Sequence, residues 1–144
     1  MSIFIDSNVL LRSADPGDPR HETAANAIAS LIANGETLVV TPQIAAEFWN
    51  VATRPVKNNG LGMSTDQARN EIVRLEGFFA MLDESVDVYA EWKRLVVAHD
   101  VKGVQAHDTR IVAAMNVYGV ERLMTFNGQD FGRFPDIQVV VPGQ

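Results

Sequence analysis

Ser2-Ile3-Phe4-Ile5-Asp6-Ser7-Asn8 decides how the chain is read. Its apolar residues have little preference for helix and predict a short strand, with Asp6, Ser7 and Asn8 at the strand's carboxyl end. In an open parallel α/β sheet that end is where ligands bind, so an acid there is a candidate for chemistry. An Asp that merely terminates a strand is common, and the rest of the chain must supply its partners.

Outward from this stretch, residues up to Gly17 are partly apolar and then break at Asp15-Pro16-Gly17-Asp18-Pro19. Asp18 with Pro19 predicts a capped helix start, since proline's missing N–H costs nothing in the first turn. Ala24, Ile28, Leu31 and Ile32 share one face of that helix until Asn34-Gly35. His21 falls in its first turn, where partial exposure is its simplest role. Leu38-Val39-Val40-Thr41 predicts a second strand, and Thr41-Pro42 starts a helix reaching about Thr53. There Glu47 lies beside Ile44, Phe48 and Val51, near the inward face. A buried unpaired carboxylate is expensive. Glu47 is therefore either partnered, with Arg54 as one choice, or points into the pocket of Asp6, where a cation offsets their repulsion.

Arg54-Pro55 ends that helix, and Val56 to Met63 predicts a loop in which Arg54 and Lys57 are candidate phosphate contacts. Ser64 and Gln67 form a capping-box pattern ahead of Ala68, Ile72, Leu75 and Phe79 on one helical face. A short strand around Ala80-Met81-Leu82 precedes a helix marked by Val88, Trp92, Leu95 and Val96. Trp92 is read there as packing. After a loop from His99 to Ala106, His107-Asp108-Thr109-Arg110 opens a helix whose packed face includes Ile111 and Met115. Asp108 suits a first-turn acid near the helix amides, and its spacing to Ile111 and Met115 also turns it towards the core side. A further strand, Arg122 to Phe126, leads into Asn127-Gly128-Gln129-Asp130-Phe131, and Ile137 to Val141 predicts the last strand. Strands alternating with helices imply a three-layer α/β fold.

With 144 residues and 47% hydrophobic content, the chain suits a single domain, residues 1–144, around one sizeable core. No run reaches the ~20 apolar residues needed to span a bilayer, and the start lacks a secretion-signal pattern, so a cytoplasmic protein is expected. Having no Cys, the chain can form neither disulfides nor thiolate metal sites, which leaves carboxylates and imidazoles as ligands. A net charge of −6 argues against a broad basic surface for nucleic acid, although cations bound in an acidic pocket would reverse the local field.

Taken together, the chain resembles the PIN-domain nucleases, particularly the VapC-like toxins of toxin–antitoxin systems. The resemblance rests on Asp6-Ser7-Asn8 after the first strand, Glu47 after Pro42, Asp108 opening the small-residue-rich run Thr109 to Ala114, and Thr125-Phe126-Asn127 with Asp130-Phe131. It implies a PIN-like α/β/α domain with a central, mainly parallel sheet. It also implies a Mg²⁺- or Mn²⁺-dependent endoribonuclease restrained by a cognate antitoxin, working as a homodimer and as a toxin–antitoxin hetero-oligomer. Asp6, Glu47 and Asp108 are then the acidic cluster, catalytic and metal-binding, with Asn127 or Asp130 completing it. The family position of Asn127 is often Asp. Clustered carboxylates repel one another, and a hard divalent ion offsets that repulsion. Ser7, Asn8, Arg12, Arg54, Lys57 and Arg110 are candidate substrate contacts. A metal-dependent DNA nuclease or phosphatase uses the same ligand types. A non-catalytic RNA-binding module, suggested by Arg12, Arg54, Lys57, Lys102 and Arg110, is disfavoured by the overall acidity and by the lack of an aromatic stacking series.

Overall fold

The computed structural model describes residues 1–144. Strand β1 is Ser2–Ile5, and Ile3, Phe4 and Ile5 have no exposed surface, as a central strand covered on both faces requires. Asp6 caps helix α1, Ser7–Ser13, an element the sequence does not announce because its apolar run, Val9 to Leu11, is too short to show a period. Helix α2, His21–Ala33, begins later than the Asp18-Pro19 pattern predicts. The Asp18 carboxylate accepts the backbone N–H of Arg20 and also binds its guanidinium, which shapes a turn before the helix.

Strand β2, Thr37–Val40, leads through Thr41 into α3, Pro42–Thr53. A 3₁₀ turn at Val56–Asn58 occupies part of the expected loop. The Ser64–Gln67 capping box is present, and α4 runs Thr65–Glu76. Phe79 does not belong to that helix, because the chain leaves it at Gly77 and Phe79–Met81 forms β3. Next come α5, Val86–Ala98, and α6, Gln105–Tyr118, which Gly119 closes in the left-handed conformation at φ 68°. Strand β4 is Arg122–Met124, followed by a 3₁₀ turn at Gly128–Phe131 and β5, Gln138–Val140.

The five strands are all parallel, in the order β3-β2-β1-β4-β5. The six helices flank this sheet, giving the three-layer α/β/α arrangement. The path from β1 to β2 to β3 moves towards one edge, and the next crossover returns to β4 on the other side of β1. With right-handed crossovers, α1 to α4 cover one face and α5 and α6 the other. In keeping with this, α1 packs on α2 and α3, while α5 packs on α6. The chain therefore reverses direction between β1 and β4, and a crevice opens beyond their carboxyl ends. One cluster of 29 buried apolar residues, including Phe4, Phe48, Ile111, Met115 and Leu123, holds the layers together.

Candidate active site

Asp6 follows the last residue of β1, and Thr125 follows the last residue of β4. Ile5 pairs with Met124, and the Asp6 N–H continues the ladder to the Met124 carbonyl at 3.0 Å, so sheet register sets the two side chains beside each other. Thr125 Oγ1 donates to Asp6 Oδ2 at 2.9 Å. The same hydroxyl oxygen accepts from Asn8 Nδ2 at 3.1 Å and from the Asn127 N–H at 3.1 Å. Asn8 Nδ2 also approaches Asp6 Oδ2 at 3.3 Å, and Asn8 Oδ1 accepts the Phe126 N–H at 3.1 Å. Asn8 therefore spends its amide on locking α1 to the strand β4 exit. The other Asp6 oxygen accepts the Ser7 N–H at 2.8 Å.

Glu47 reaches the same place from the first turns of α3. Its Oε2 accepts from Ser7 Oγ at 3.2 Å and its Oε1 from Gln43 Nε2 at 2.9 Å. Gln43 Nε2 also donates to the His107 carbonyl at 2.8 Å, which ties α3 to the start of α6. That tie brings Asp108, one residue on and half-buried, towards the other acids. Asp130 lies on the exposed 3₁₀ turn after β4.

The electrostatics show that these carboxylates share one region. Asp6 is only 6% exposed, and burial pushes its pKa up to about 6. The Thr125 hydroxyl and Ser7 N–H pull it down, while the charges of Glu47 and Asp130 push it up. Asp108 is also pushed up to about 6, first by burial and then by Asp6, Asp130 and Glu47. Both shifts have the sign expected of acids held together in low dielectric.

Oxygen-only donors suit a hard divalent ion. No three Asp, Glu or His side chains stand close enough to enclose one ion by themselves. An ion at this place would therefore need oxygens besides these carboxylates, from other side chains or from water. Gln43 Oε1 is buried with no donor, a further oxygen left open beside Glu47.

The remaining predicted residues divide. The Asn127 side chain is exposed and makes no hydrogen bond, and its backbone N–H is the part that joins the site. Arg110 lines a cavity of about 580 Å³ together with Gln43, Glu47 and His107, and its guanidinium pairs with Glu84 at 2.6 Å. Arg12 is held by Asp18 at 3.5 Å. Arg54 and Lys57 lie at and beyond the far end of α3, and Arg54 makes no ion pair with Glu47. The His21 ring contacts the Arg12 carbonyl at 3.0 Å, away from the acids.

Thr125 enters the sequence reading only as part of the Thr125-Phe126-Asn127 motif, and its bond to Asp6 is supplied by the fold. Two further contributors do not stand out in the sequence as parts of the site. Gln43 precedes Glu47 by four residues, the spacing that places two side chains on one helix face. Arg20 stacks its guanidinium over the Phe126 ring at 5.5 Å, beside the β4 exit.

Among curated proteins, none matches this sequence significantly. The fold is shared with chains of several solved structures. That of VapBC-1 from nontypeable Haemophilus influenzae superimposes with a TM-score of 0.73 at 16% identity, over 100% of both chains. Mycobacterium tuberculosis VapC20, described as a sarcin-ricin loop cleaving toxin, gives 0.70 at 20% identity over 92% of this chain and 95% of that one. A toxin–antitoxin complex from Klebsiella pneumoniae gives 0.67 at 21% identity over 99% and 98%. The PIN domain family model matches residues 3–137. With nearly the whole sequence matched by that model, and the acids gathered where β1 and β4 diverge, the chain belongs to the PIN domain family.

Proposed function

We propose that this protein is a divalent-metal-dependent endoribonuclease that hydrolyses RNA phosphodiesters, acting as the toxin of a toxin–antitoxin pair. The observation that carries this reading is the convergence of Asp6, Glu47, Asp108 and Asp130 from four separate chain segments, with Asp6 and Asp108 both raised to about 6. Grouping acids at a cost in electrostatic energy is a mark of functional sites. The shared fold with a toxin described as cleaving the sarcin-ricin loop, and with a toxin–antitoxin complex, supports RNA as substrate and an antitoxin as partner.

In this reading Asp6 and Asp108 hold Mg²⁺ or Mn²⁺, with Glu47 and either Asn127 or Asp130 acting directly or through water. When bound, the ion activates a water and offsets charge on the phosphoryl oxygens. The protein's own groups do the positioning. Thr125 and the Ser7 N–H keep Asp6 in one orientation, and Gln43 and Ser7 keep Glu47 in another. Arg110, partly exposed beside the acids, takes a phosphate from the strand leading to the cleaved bond. At neutral pH both raised acids are mostly ionised, so the pocket attracts a cation, and a basic antitoxin side chain would compete for it. Homodimerisation is part of the same reading, by likeness to toxins of this family, and Val73, 53% exposed on α4, is one apolar residue available to such an interface.

The test is cleavage of total cellular RNA by protein stripped of metal, with and without Mg²⁺ or Mn²⁺, beside Asp6→Asn and with matched DNA and a small phosphate ester as alternative substrates. Discrete RNA products that need both metal and Asp6 support the reading. Turnover of DNA or the ester alone replaces it.

A further inference from the structure

A second hollow adjoins the acidic cavity. It has a volume of about 410 Å³ and shares Glu84, His107 and Arg110 with the cavity that Glu47 lines. Its other wall is aromatic: Tyr89 and Trp92, one turn apart on α5, lie with ring centroids 6.0 Å apart at 31°. Trp92 Nε1 donates to the Ala106 carbonyl at 2.9 Å, which fixes that indole between α5 and α6. Tyr89 is 58% exposed, so its ring is open to a ligand in the hollow. Ser85, at the hollow's edge, is the N-cap of α5, yet its hydroxyl makes no capping bond and remains available.

We infer that this hollow is a nucleobase subsite, in which an unpaired RNA base next to the cleaved phosphate stacks on Tyr89 against the fixed Trp92 and meets Ser85 with its polar edge. The inference rests on the endoribonuclease reading and adds to it the part of the protein that selects sequence. Three features favour a base over an antitoxin side chain. The hollow combines a flat aromatic wall with polar groups at its rim, it adjoins the cavity that Glu47 lines, and Arg110 stands at the junction, where the phosphate between two nucleotides falls. Trp92, read from sequence as packing in preference to base stacking, thus packs with one part of its ring and backs the subsite with another.

The experiment uses Asp6→Asn protein, which cannot turn over, and single-stranded RNA oligonucleotides with 2-aminopurine placed at each position in turn. Quenching at one position beside the cleaved bond, lost in Asp6→Asn/Tyr89→Ala and kept in Asp6→Asn/Tyr89→Phe, supports the subsite. Alongside, Tyr89→Ala in the otherwise unaltered enzyme should weaken cleavage of the preferred sequence about ten-fold and flatten base preference at that position. If the enzyme cleaves RNA but quenching and preference ignore Tyr89, the subsite is overturned while the nuclease stands. Absence of both cleavage and quenching overturns both. Loss of antitoxin affinity in Tyr89→Ala, with RNA preference unchanged, assigns the hollow to the protein partner and overturns the inference.

Discussion

Thr125 Oγ1 donates to Asp6 Oδ2 at 2.9 Å across a separation of 119 residues, and it is the side-chain bond that most favours the ionised form of the most buried acid in the site. Around it, Asn8 and the Asn127 N–H use the remaining capacity of the same oxygen. One hydroxyl thus orders the ends of β1 and β4 and tunes the acid between them.

Thr125→Val keeps the shape and removes the donor. The Asp6 carboxyl should then titrate above its present value of about 6, by roughly one further unit. The acid limb of the cleavage–pH profile moves up with it. Stability falls by about 1–3 kcal/mol, because Asn8 and the Asn127 N–H lose their acceptor. A pH–rate profile of the variant identical to that of the wild type would remove Thr125 from this role.

Metal-free protein should lose stability as pH rises from about 4 to about 6. Asp6 and Asp108 have raised pKa values in the fold, so over that window the folded chain binds more protons than the unfolded one. For Asp6 the loss is of the order of 1–3 kcal/mol, and for half-exposed Asp108 it is smaller because solvent screens the charge. The lowered acids Asp18, Glu36 and Glu91 act in the opposite sense, but at lower pH. Urea midpoints at pH 5 and pH 7.5 check the sign, and Mg²⁺ should narrow the difference.

Asp6→Asn and Asp108→Asn should each fold, lose most cleavage and gain about 1 kcal/mol of metal-free stability at neutral pH by relieving repulsion among the acids. Near-native turnover in both purified variants would refute their assigned roles. A loss of stability in both would place their carboxylates in structural pairs instead.

Arg110→Ala should raise KM for RNA more than it lowers kcat. It should also reduce the slope of log affinity against log salt by about 0.7, the change that follows when one phosphate is no longer neutralised by the protein. Arg110→Lys should restore most of the slope. An unchanged slope in Arg110→Ala would leave this guanidinium with its Glu84 pairing alone.

Gly60→Ala tests the loop after α3. A Cβ there would stand 1.9 Å from the Arg54 carbonyl oxygen, so the backbone must move. A loss of about 1–3 kcal/mol is expected in chemical denaturation, with cleavage specificity retained in the folded fraction.

What the sequence determined by itself is local. The apolar run ending at Asp6, the proline after Thr41 and the Ser64–Gln67 box each signal through residues within one or two turns, and those elements lie close to where they are expected. Where local signals are thin or compete, the sequence misleads. Helix α1 is too short to show a period, Asp18 bonds into a turn, and Phe79 satisfies both a helical face and a strand until Gly77 ends the helix. Asp6, Glu47, Asp108 and Asp130 stand out as residue types in suitable contexts, and the family resemblance sets them in order.

Only the tertiary structure decided which of these meet and in what state. The strand order put Thr125 beside Asp6, the Gln43 amide bridged Glu47 to the start of α6, and the adjoining cavities set Tyr89 next to Arg110. None of these distances follows from spacing along the chain, because packing of the whole core selects one register and one crossover path. The raised pKa values of Asp6 and Asp108 depend on the same packing. Desolvation and repulsion arise only after folding has excluded water and brought like charges together.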